Sequence, residues 1–374
     1  MHLKNYPEVT IIVPCWNEES TVKKTIQSLF HLSYPKDKLK IFLVNDGSTD
    51  NTMSVLSSFA SHENVKVFNK ENGGKYTAIN LGLESTETEF VGCLDADSFV
   101  HPESLKRIMS YFEIDQSAMA VAPSIIVNTP MSIIQRAQKA EYDMAVYVKK
   151  MLGFLGAIHV TPGPFTIFRK KVFDDLGPYR HAHNTEDMEI AFRMQKNHYK
   201  IEQCNDAYVY TNAPKTVGKL FRQRLRWIYG FLNNTIDYRE LILKRKYGNF
   251  SLFTVPSGII SVLAALYLFS RLAYNLGHFI YSKLNQIRVV GIQNISASSH
   301  FSFFYIDTKT LLFVTIFLYA SVIFSMVLGR KMAHGKTAFS LNMAYFFVIF
   351  SVIAPFWIIK AIFNTLTSKS PAWR

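Results

Sequence analysis

Short apolar runs alternate with longer helical patterns over roughly the first hundred residues of the chain. Four of the apolar runs have the length of strands: VTIIVP from residue 9, KIFLVNDGS from 40, VKVFNK from 65 and EFVGCLDAD from 89. The segment EESTVKKTIQSLFHL, between the first two, has a helical pattern. Strands that are apolar along their whole length are typical of a parallel sheet covered on both faces. The pattern therefore predicts an α/β domain built from βαβ units.

The pattern changes abruptly after about residue 250. Three runs of 19 residues contain no Asp, Glu, Lys or Arg, and they are Leu252–Ser270, Leu311–Gly329 and Leu341–Ile359. With a rise of 1.5 Å per residue, a helix of this length crosses most of a hydrocarbon core about 30 Å thick. We expect three membrane spans, and helices buried in a large soluble core are the alternative.

The charges between these runs predict their orientation. The short loop RKMAHGKTAFS, after the second run, carries Arg330, Lys331 and Lys336, and the positive-inside rule places such a loop in the cytosol. The amino-terminal domain is then expected on the cytoplasmic side, with residues 271–309 and the carboxyl terminus outside. The expected outer loop also contains a glycosylation sequon, Asn294-Ile295-Ser296.

Composition adds a basic balance and a large apolar content. The 374 residues include 41 Lys and Arg against 28 Asp and Glu, a net charge of +13, and 49% are hydrophobic. A disordered chain is excluded by that apolar content, whereas the charge suits nucleic acid, an anionic membrane or phosphorylated small molecules equally. The three cysteines are far apart and lack the paired spacing of a metal site, so we expect buried side chains in a reducing compartment.

Polar residues follow the predicted strands at the edge where open α/β sheets bind ligands. Asn17, Asp46 and Asp95 each stand at the end of an apolar run, which predicts a nucleotide-type site. Asp97 completes a D-x-D motif whose oxygens suit Mg²⁺ or Mn²⁺, although the same motif also occurs in surface turns. Lys75 follows two glycines at the start of a predicted helix, a position that suits phosphate.

Six short motifs occur in a characteristic order along the chain: VPCWNEE, VNDGSTD, NGGKYTAINLG, DAD, TED at 185–187 and QRLRW at 223–227. Together they resemble the membrane-bound inverting family 2 glycosyltransferases, which include cellulose, chitin, hyaluronan and poly-N-acetylglucosamine synthases and, more distantly, ceramide glucosyltransferase. The resemblance covers about residues 8–250. It implies an α/β domain of the GT-A type, a Rossmann-like nucleotide-sugar fold, over residues 1–217. An amphipathic interfacial segment over 218–248 and an all-α transmembrane region of about three helices over 249–374 would follow.

The resemblance also implies a role for each matched residue. Asp187 is the expected catalytic base, with Glu186 beside it in the same motif. Asp95 and Asp97 would hold the nucleotide and its Mg²⁺ or Mn²⁺. The other expected contacts are Asp46 to the base or ribose of a UDP-sugar, Lys75 to its pyrophosphate, Gln223 and Arg226 to the donor diphosphate or the acceptor, and Trp227 stacked on the acceptor sugar.

Two of these motifs also have purely structural interpretations. Thr185, Glu186 and Asp187 are residue types that favour the start of a helix, here EDMEIAFRMQK. The segment FRQRLRW, residues 221–227, lies in a stretch whose apolar positions have basic residues between them, as in a helix that anchors a protein to anionic lipid. Those apolar positions are Leu220, Leu225, Ile228 and Leu232.

The resulting functional prediction is an integral enzyme of the plasma membrane with a cytoplasmic catalytic domain. It would move a sugar from UDP-N-acetylglucosamine or UDP-glucose to a growing β-linked polysaccharide, and nucleic acid is not an expected partner. Transfer of a single sugar to a membrane lipid is the alternative, and a catalytically silent membrane scaffold is a further one. Asn45 stands where many relatives carry a second aspartate, which leaves the nucleotide open. No apolar span precedes the predicted domain, which favours the single-transfer alternative.

Overall fold

One mixed β-sheet lies at the centre of the amino-terminal part of the protein. The computed structural model describes residues 3–290 and 311–371. Within these residues the strands are β1 (Val9–Cys15), β2 (Leu39–Asp46), β3 (Val65–Lys70), β4 (Phe90–Cys93), β5 (Ser98–Val100), β6 (Ala118–Val127), β7 (Ile167–Arg169) and β8 (Lys200–Thr211). Their order across the sheet is β3-β2-β1-β4-β7-β6-β8-β5. The first four strands pair in parallel, and β7 joins β4 to β6 antiparallel to both.

Helices cover both faces of the sheet and continue into a carboxyl-terminal helical region. They are α1 (Val22–Phe30), α2 (Thr52–Ser57), α3 (Lys75–Glu84), α4 (Ser104–Ile114), α5 (Ile133–Phe154), α6 (Lys171–Leu176), α7 (Glu186–Lys196), α8 (Val217–Asp237), α9 (Val255–Val290), α10 (Leu311–His334) and α11 (Leu341–Leu366). Strands β1 to β4 coincide with the four apolar runs, so the predicted βαβ architecture is confirmed.

The strands lack polar alternation because both of their faces are buried. One hydrophobic cluster contains Ile11 and Leu43, and a second cluster on the opposite face contains Ile12 and Val44. Helix α3 approaches β1 so closely that a Cβ atom at Gly82 would lie 2.7 Å from the Ile12 side chain. The three cysteines are buried as expected.

Helices α5 and α8 extend from the sheet domain and pack against the carboxyl-terminal helices. The hydroxyl of Ser132 accepts a hydrogen bond from the Gln135 N–H, and the Gln135 side chain reciprocates, which fixes the start of α5. On α8, the apolar face expected to contact lipid packs instead against Trp357 and Ala361 of α11. The anchor interpretation was therefore wrong about the partner of this face, because α11 covers it. Leu220, Leu225, Ile228 and Leu232 all belong to this contact.

Three helices are long and apolar enough to cross a membrane, within Phe250–Val289, Ile316–His334 and Leu341–Leu366. Their existence agrees with the prediction, but α9 continues to Val290 rather than ending near residue 270. Its 36 residues extend about 54 Å, well beyond a hydrocarbon core of about 30 Å. Residues 271–290 are thus helical rather than part of a loop, since polar helix-forming residues continue the helix. The sequon at 294–296 lies outside the described residues.

The carboxyl end of the protein lies against the sheet domain. The Asn184 side-chain amide donates a hydrogen bond to the Pro371 carbonyl at 3.4 Å, and the Asn233 amide donates to the Thr365 hydroxyl at 3.2 Å. The side of the membrane on which the carboxyl terminus lies stays a prediction, because the three long helices qualify as spans by length and composition only.

Candidate active site

A cavity of about 1310 Å³ opens at the carboxyl ends of the strands, where the sequence predicted a ligand site. The predicted site residues that it brings together extend from Asp46 to Trp227, which are 181 positions apart in the chain. All nine residues singled out from the sequence line it: Asp46, Lys75, Asp95, Asp97, Glu186, Asp187, Gln223, Arg226 and Trp227.

Lys75 joins two of the acidic motifs. It is the first residue of α3, and its Nζ lies 2.6 Å from Asp95 Oδ1 and 3.1 Å from Glu186 Oε1. Burial alone would lower the pKa of the Lys75 ammonium, but Asp95 and Glu186 outweigh burial and raise this pKa well above its usual value. Lys75 is therefore a fixed cation at the centre of the cavity, and an incoming diphosphate would have to compete with two carboxylates for it.

Glu186 and Asp187 are adjacent but have opposite electrostatic environments. Burial raises the pKa of the Glu186 carboxyl, yet the bond to Lys75 prevails and holds this pKa below its usual value. Asp187 is half-buried, and burial together with the neighbouring Glu186 charge raises its pKa to about 6. A carboxylate that is ionised near neutral pH and can accept a proton suits a general base. The pair thus separates into a permanently charged Glu186 and a proton-accepting Asp187.

The start of α7 is held by its neighbours rather than by a side-chain cap. Thr185 occupies the N-cap position, but its hydroxyl donates to the Ala182 carbonyl at 2.9 Å and accepts from the Asn234 amide at 3.0 Å. Helix α8 can approach only because Gly230 has no side chain, since a Cβ there would lie 2.3 Å from Thr185. The backbone carbonyl of Asp187 accepts from the Thr161 N–H and hydroxyl. The helix-capping interpretation therefore has no hydrogen bond to support it.

Asp46 organises the glycine loop that precedes α3. Its carboxylate accepts hydrogen bonds from the N–H groups of Gly73 and Gly74, each at 3.0 Å, and from Lys70 Nζ at 2.7 Å. Gly74 has a φ of 91°, a conformation that favours glycine. The two N–H groups that the sequence suggested for phosphate thus bond to Asp46. A contact from Asp46 to the nucleotide stays a prediction.

Asp95 and Asp97 flank the end of β4 and are both half-buried. Burial, followed by the charges of Asp95 and Glu18, raises the pKa of the Asp97 carboxyl to about 6. The turn at residues 162–164 lies against Asp95, since a Cβ atom on Gly163 would lie 3.4 Å from Asp95 Oδ1 and 2.8 Å from Lys75 Nζ. The D-x-D motif is therefore part of the cavity wall and not a surface turn.

The segment FRQRLRW distributes its polar side chains between the cavity and the interior. Arg226 Nη1 donates to the Asn184 carbonyl at 2.7 Å, and Gln223 Oε1 is buried in the cavity wall without a hydrogen-bond partner among the described residues. The Arg224 guanidinium lies 4.0 Å from the centre of the Trp227 ring and pairs with Glu141 of α5. Arg224 and Arg226 are therefore held by contacts within the protein, whereas Arg222 is exposed.

Among the polar residues that line the cavity are three that the sequence did not single out, Lys149, His159 and Gln203. Burial lowers the pKa of Lys149 to about 8, against the attraction of Asp187, and lowers the pKa of His159 to about 4. Gln203 of β8 is 1% exposed, and neither polar atom of its side chain has a partner among the described residues. Glu141, Tyr142, Ala145 and Lys149 share one face of α5, and this spacing is the signal that could have revealed Lys149.

The opposite end of the cavity is apolar. It reaches between α8, α9 and α11, where it is lined by Ile228, Phe231, Gly258, Val262 and Ile358. The hydroxyl of Ser261, at the same end, donates to the carbonyl one helical turn before it in α9. This end therefore offers little hydrogen bonding to a sugar.

Comparison with known proteins agrees with this geometry. Residues 10–177 match the family model described as Glycosyl transferase family 2. A poly-beta-1,6-N-acetyl-D-glucosamine synthase of Staphylococcus epidermidis is 30% identical over 224 residues, which are 59% of this chain and 54% of that relative. The corresponding synthase of Staphylococcus aureus is 29% identical over 258 residues, or 68% of this chain and 62% of the relative. The chain thus covers less than two thirds of the length of either relative.

The fold also resembles a solved structure, a mannosyltransferase from Pyrobaculum calidifontis in complex with GDP-Man and Mn²⁺. The two align with a TM-score of 0.61 at 16% identity, over 98% of this chain and 89% of the other. This likeness concerns the fold alone, and it confirms the GT-A type of α/β domain with carboxyl-terminal helices. Residues 10–177 thus form a domain that is similar to glycosyltransferase family 2.

Proposed function

We propose that this protein is an inverting glycosyltransferase that moves a sugar, N-acetylglucosamine in the first instance, from its UDP derivative to a growing β-linked polysaccharide at the membrane. The observation that carries the proposal is the separation of Glu186 and Asp187 into a fixed charge and a proton acceptor within one cavity. The two staphylococcal relatives, both named as poly-N-acetylglucosamine synthases, support the choice of sugar and of acceptor.

The proposed reaction is a single displacement. A carboxylate oxygen of Asp187 takes the proton of the acceptor hydroxyl as the acceptor oxygen forms a bond to C1 of the donor sugar. The bond between C1 and the diphosphate oxygen breaks on the opposite face, and UDP leaves with the electron pair. Lys75 and Arg226 lie where positive charge would stabilise the leaving diphosphate. Inversion follows because one carboxylate acts and no covalent intermediate forms.

A divalent cation fits the pair Asp95 and Asp97. Burial, followed by the charges of Asp95 and Glu18, raises the pKa of the Asp97 carboxyl, and a cation beside Asp97 would stabilise its ionised form. Among the described residues, no group of three or more His, Cys, Asp or Glu side chains is arranged to hold a metal. The two aspartates would therefore share Mg²⁺ or Mn²⁺ with donor phosphates, as such ions commonly bind. The bound ion would supply charge to the leaving diphosphate, and the Mn²⁺ in the mannosyltransferase complex supports this assignment.

The acceptor would enter beside Trp227, whose ring lines the cavity near Gln223 and Arg226. Stacking on a sugar ring would use the aromatic face that Arg224 leaves open. Elsewhere in the cavity wall, the unpaired side-chain atoms of Gln203 and His159 suit the hydroxyl or amide groups of an acceptor, because buried polar groups without partners are costly.

A lipid acceptor is the second candidate, and the apolar end of the cavity favours it. The four apolar side chains between α8, α9 and α11 would accommodate hydrocarbon, whereas burying the hydroxyls of a sugar there would cost hydrogen bonds. The three helices of sufficient length support attachment to a membrane, and we propose the plasma membrane with the catalytic domain in the cytoplasm.

The function is tested by incubating membranes that contain the full chain with radiolabelled UDP-N-acetylglucosamine or UDP-glucose and Mg²⁺ or Mn²⁺. We expect a ladder of polysaccharide products from UDP-N-acetylglucosamine, and one lipid-soluble product would favour the second candidate. The matched control is Asp174→Asn, which alters an exposed carboxylate on α6 outside the cavity. Lack of label transfer from either donor by the unaltered chain would contradict the proposed function.

A further inference from the structure

Helix α11 contacts the catalytic domain along its whole length. The side chains that face the domain recur every seven residues, as in a helix packed along one seam. They are Met343, Phe350, Trp357 and Asn364. Met343 is 1% and Trp357 is 4% exposed, although the helix is apolar enough to lie in lipid.

The two ends of this seam meet the same domain. Near its start, Met343 packs with Ala140 of α5, one residue before Glu141 of the cavity wall. Near its end, Thr365 accepts a hydrogen bond from Asn233 of α8. Beyond the helix, Pro371 bonds to Asn184, another residue of the cavity wall. Both ends of α11 therefore lie on the catalytic side.

This arrangement is incompatible with a helix that crosses the bilayer. The 21-residue interval from Met343 to Asn364 corresponds to about 32 Å of helix, which equals or exceeds a hydrocarbon core of about 30 Å. A perpendicular α11 would carry its two ends, and the parts of the catalytic domain bound to them, to opposite membrane faces.

The opposite face of α11 is a continuous apolar stripe. At about 100° per residue, its six members fall within an arc of about 80°. They are Leu341 at 61%, Val348 at 68%, Val352 at 62%, Phe356 at 53%, Phe363 at 56% and Leu366 at 80% exposed. Lys360 borders the stripe, in a position from which its ammonium can reach lipid headgroups. One apolar face beside a polar border is typical of a helix that lies in a membrane surface.

The preceding helix agrees with this orientation. His334, at the end of α10, lies with its Nε2 2.9 Å from Asp143 Oδ1 of α5. Helices α10 and α5 cross so closely that a Cβ atom at Gly329 would lie 2.0 Å from the Asp143 carbonyl oxygen. The basic loop that follows α10 is thus on the catalytic side, and α11 starts there.

We infer that α11 lies in the plane of the membrane between the catalytic domain and the bilayer, with its apolar stripe in the lipid, while only α9 and α10 cross. The carboxyl terminus then shares the side of the catalytic domain. The occupant of the stripe is the acyl region of the bilayer, because the stripe belongs to the same helical region as the two crossing helices. This inference rests on the membrane attachment in the proposed function, but not on the proposed chemistry.

Single cysteines test the topology, since the three native cysteines are buried and should react little. Ser370→Cys reports the carboxyl end, Ser61→Cys the catalytic domain, and Asn285→Cys the far part of α9, about 45 Å from its start. Cells that express each full-length variant are treated with a membrane-impermeant maleimide before and after the membrane is opened. We expect Asn285→Cys to react in intact cells, and the other two variants to react at least tenfold more after opening.

The possible outcomes separate the inference from the proposed chemistry. Reaction of Ser370→Cys in intact cells, together with Asn285→Cys, would overturn the inference and restore a spanning α11. Reaction of all three variants in intact cells would overturn membrane insertion and the inference together. Sugar transfer is assayed on the same membranes, and absence of transfer with the expected labelling pattern would refute the chemistry while supporting the inference.

Depth measurements test the stripe itself. Spin labels at Val348→Cys, Val352→Cys, Phe356→Cys and Phe363→Cys, in the full chain in lipid vesicles, are compared for collision with oxygen and with a water-soluble nickel chelate. An in-plane helix should place all four labels at the same depth within about 5 Å, whereas 15 residues of a crossing helix would spread them over about 22 Å. A graded depth profile would overturn the inference, and so would labels shielded from both reagents, which would indicate a protein partner on the stripe.

Discussion

The cavity and the outer face of α11 differ in which side chains are buried and which are exposed. In the cavity, Lys75 is held between Asp95 and Glu186, so charged groups are withdrawn from water and fixed by one another. On α11, large side chains such as Val348 and Leu366 are left exposed. Under the proposed function, the first region would act on a charged donor, and the second would contact the hydrocarbon of the bilayer. Changes in the first should alter catalysis, and changes in the second should alter attachment and stability.

Removal of the divalent ion should have the largest effect, because it acts on the charge balance of the cavity. With excess EDTA, transfer should fall to background, since Asp95 and Asp97 alone would repel the donor diphosphate. Asp97→Asn should lose activity without a change in thermal unfolding, whereas Asp174→Asn should retain it. Adding Mn²⁺ in excess of the EDTA is the control and should restore transfer. Full turnover in excess EDTA would contradict the assignment of a metal to the D-x-D motif.

The same substitution of a tryptophan in each region separates effects on acceptor binding from effects on stability. Trp227→Leu removes an aromatic face worth about 0.5–1.5 kcal/mol, so transfer should fall by up to about tenfold, mainly through acceptor KM. Trp357→Leu makes the same change in the seam of α11 and should lower thermal stability while leaving acceptor KM nearly unchanged. If Trp227→Leu and the unaltered protein have the same KM for the acceptor, Trp227 has a structural role and does not bind the acceptor.

Gly329 offers a test confined to the helical region. Gly329→Ala would place a methyl group 2.0 Å from the Asp143 carbonyl oxygen, so α10 must move away from α5. Overpacking of this kind costs about 1–3 kcal/mol, and the melting temperature in detergent should fall. Gly277→Ala, at a helical site with no atom within 4 Å, is the control and should be neutral. A loss of donor affinity in Gly329→Ala would show that the two regions are coupled.

Lowering the pH should have the smallest effect on turnover, because the base is protonated gradually as the pH falls. The pKa of Asp187 is raised to about 6, so the base is ionised above this value and becomes protonated as the pH falls through it. Turnover at saturating donor should be about half-maximal near pH 6. A divalent cation bound to Asp97 would keep that carboxylate ionised, so the acidic limb reports Asp187. An acidic limb of the pH–turnover profile with its midpoint near pH 4 would indicate that the pKa of Asp187 is not raised.

The sequence predicted the catalytic region well because its signals are local. Strands apolar throughout, the glycines before Lys75 and the acidic start of α7 each specify their own surroundings, and all nine predicted residues meet in one cavity. Lys149 and Gln203 were missed because their roles depend on which strand and helix face the cavity. The contacts of α11 could not be predicted either. Its length and hydropathy are those of a span, whereas its packing against α5 and α8 depends on the tertiary fold.

The most direct test of the central claim is donor affinity and turnover in Asp187→Asn, measured on the full chain in membranes. Asparagine keeps the size of the side chain and begins a helix equally well, but it cannot take a proton from the acceptor. We expect turnover at least about 100-fold lower, with affinity for UDP-N-acetylglucosamine within about twofold of the unaltered protein. An Asp187→Asn protein that turns over at a near-normal rate would contradict the assignment of Asp187 as the base.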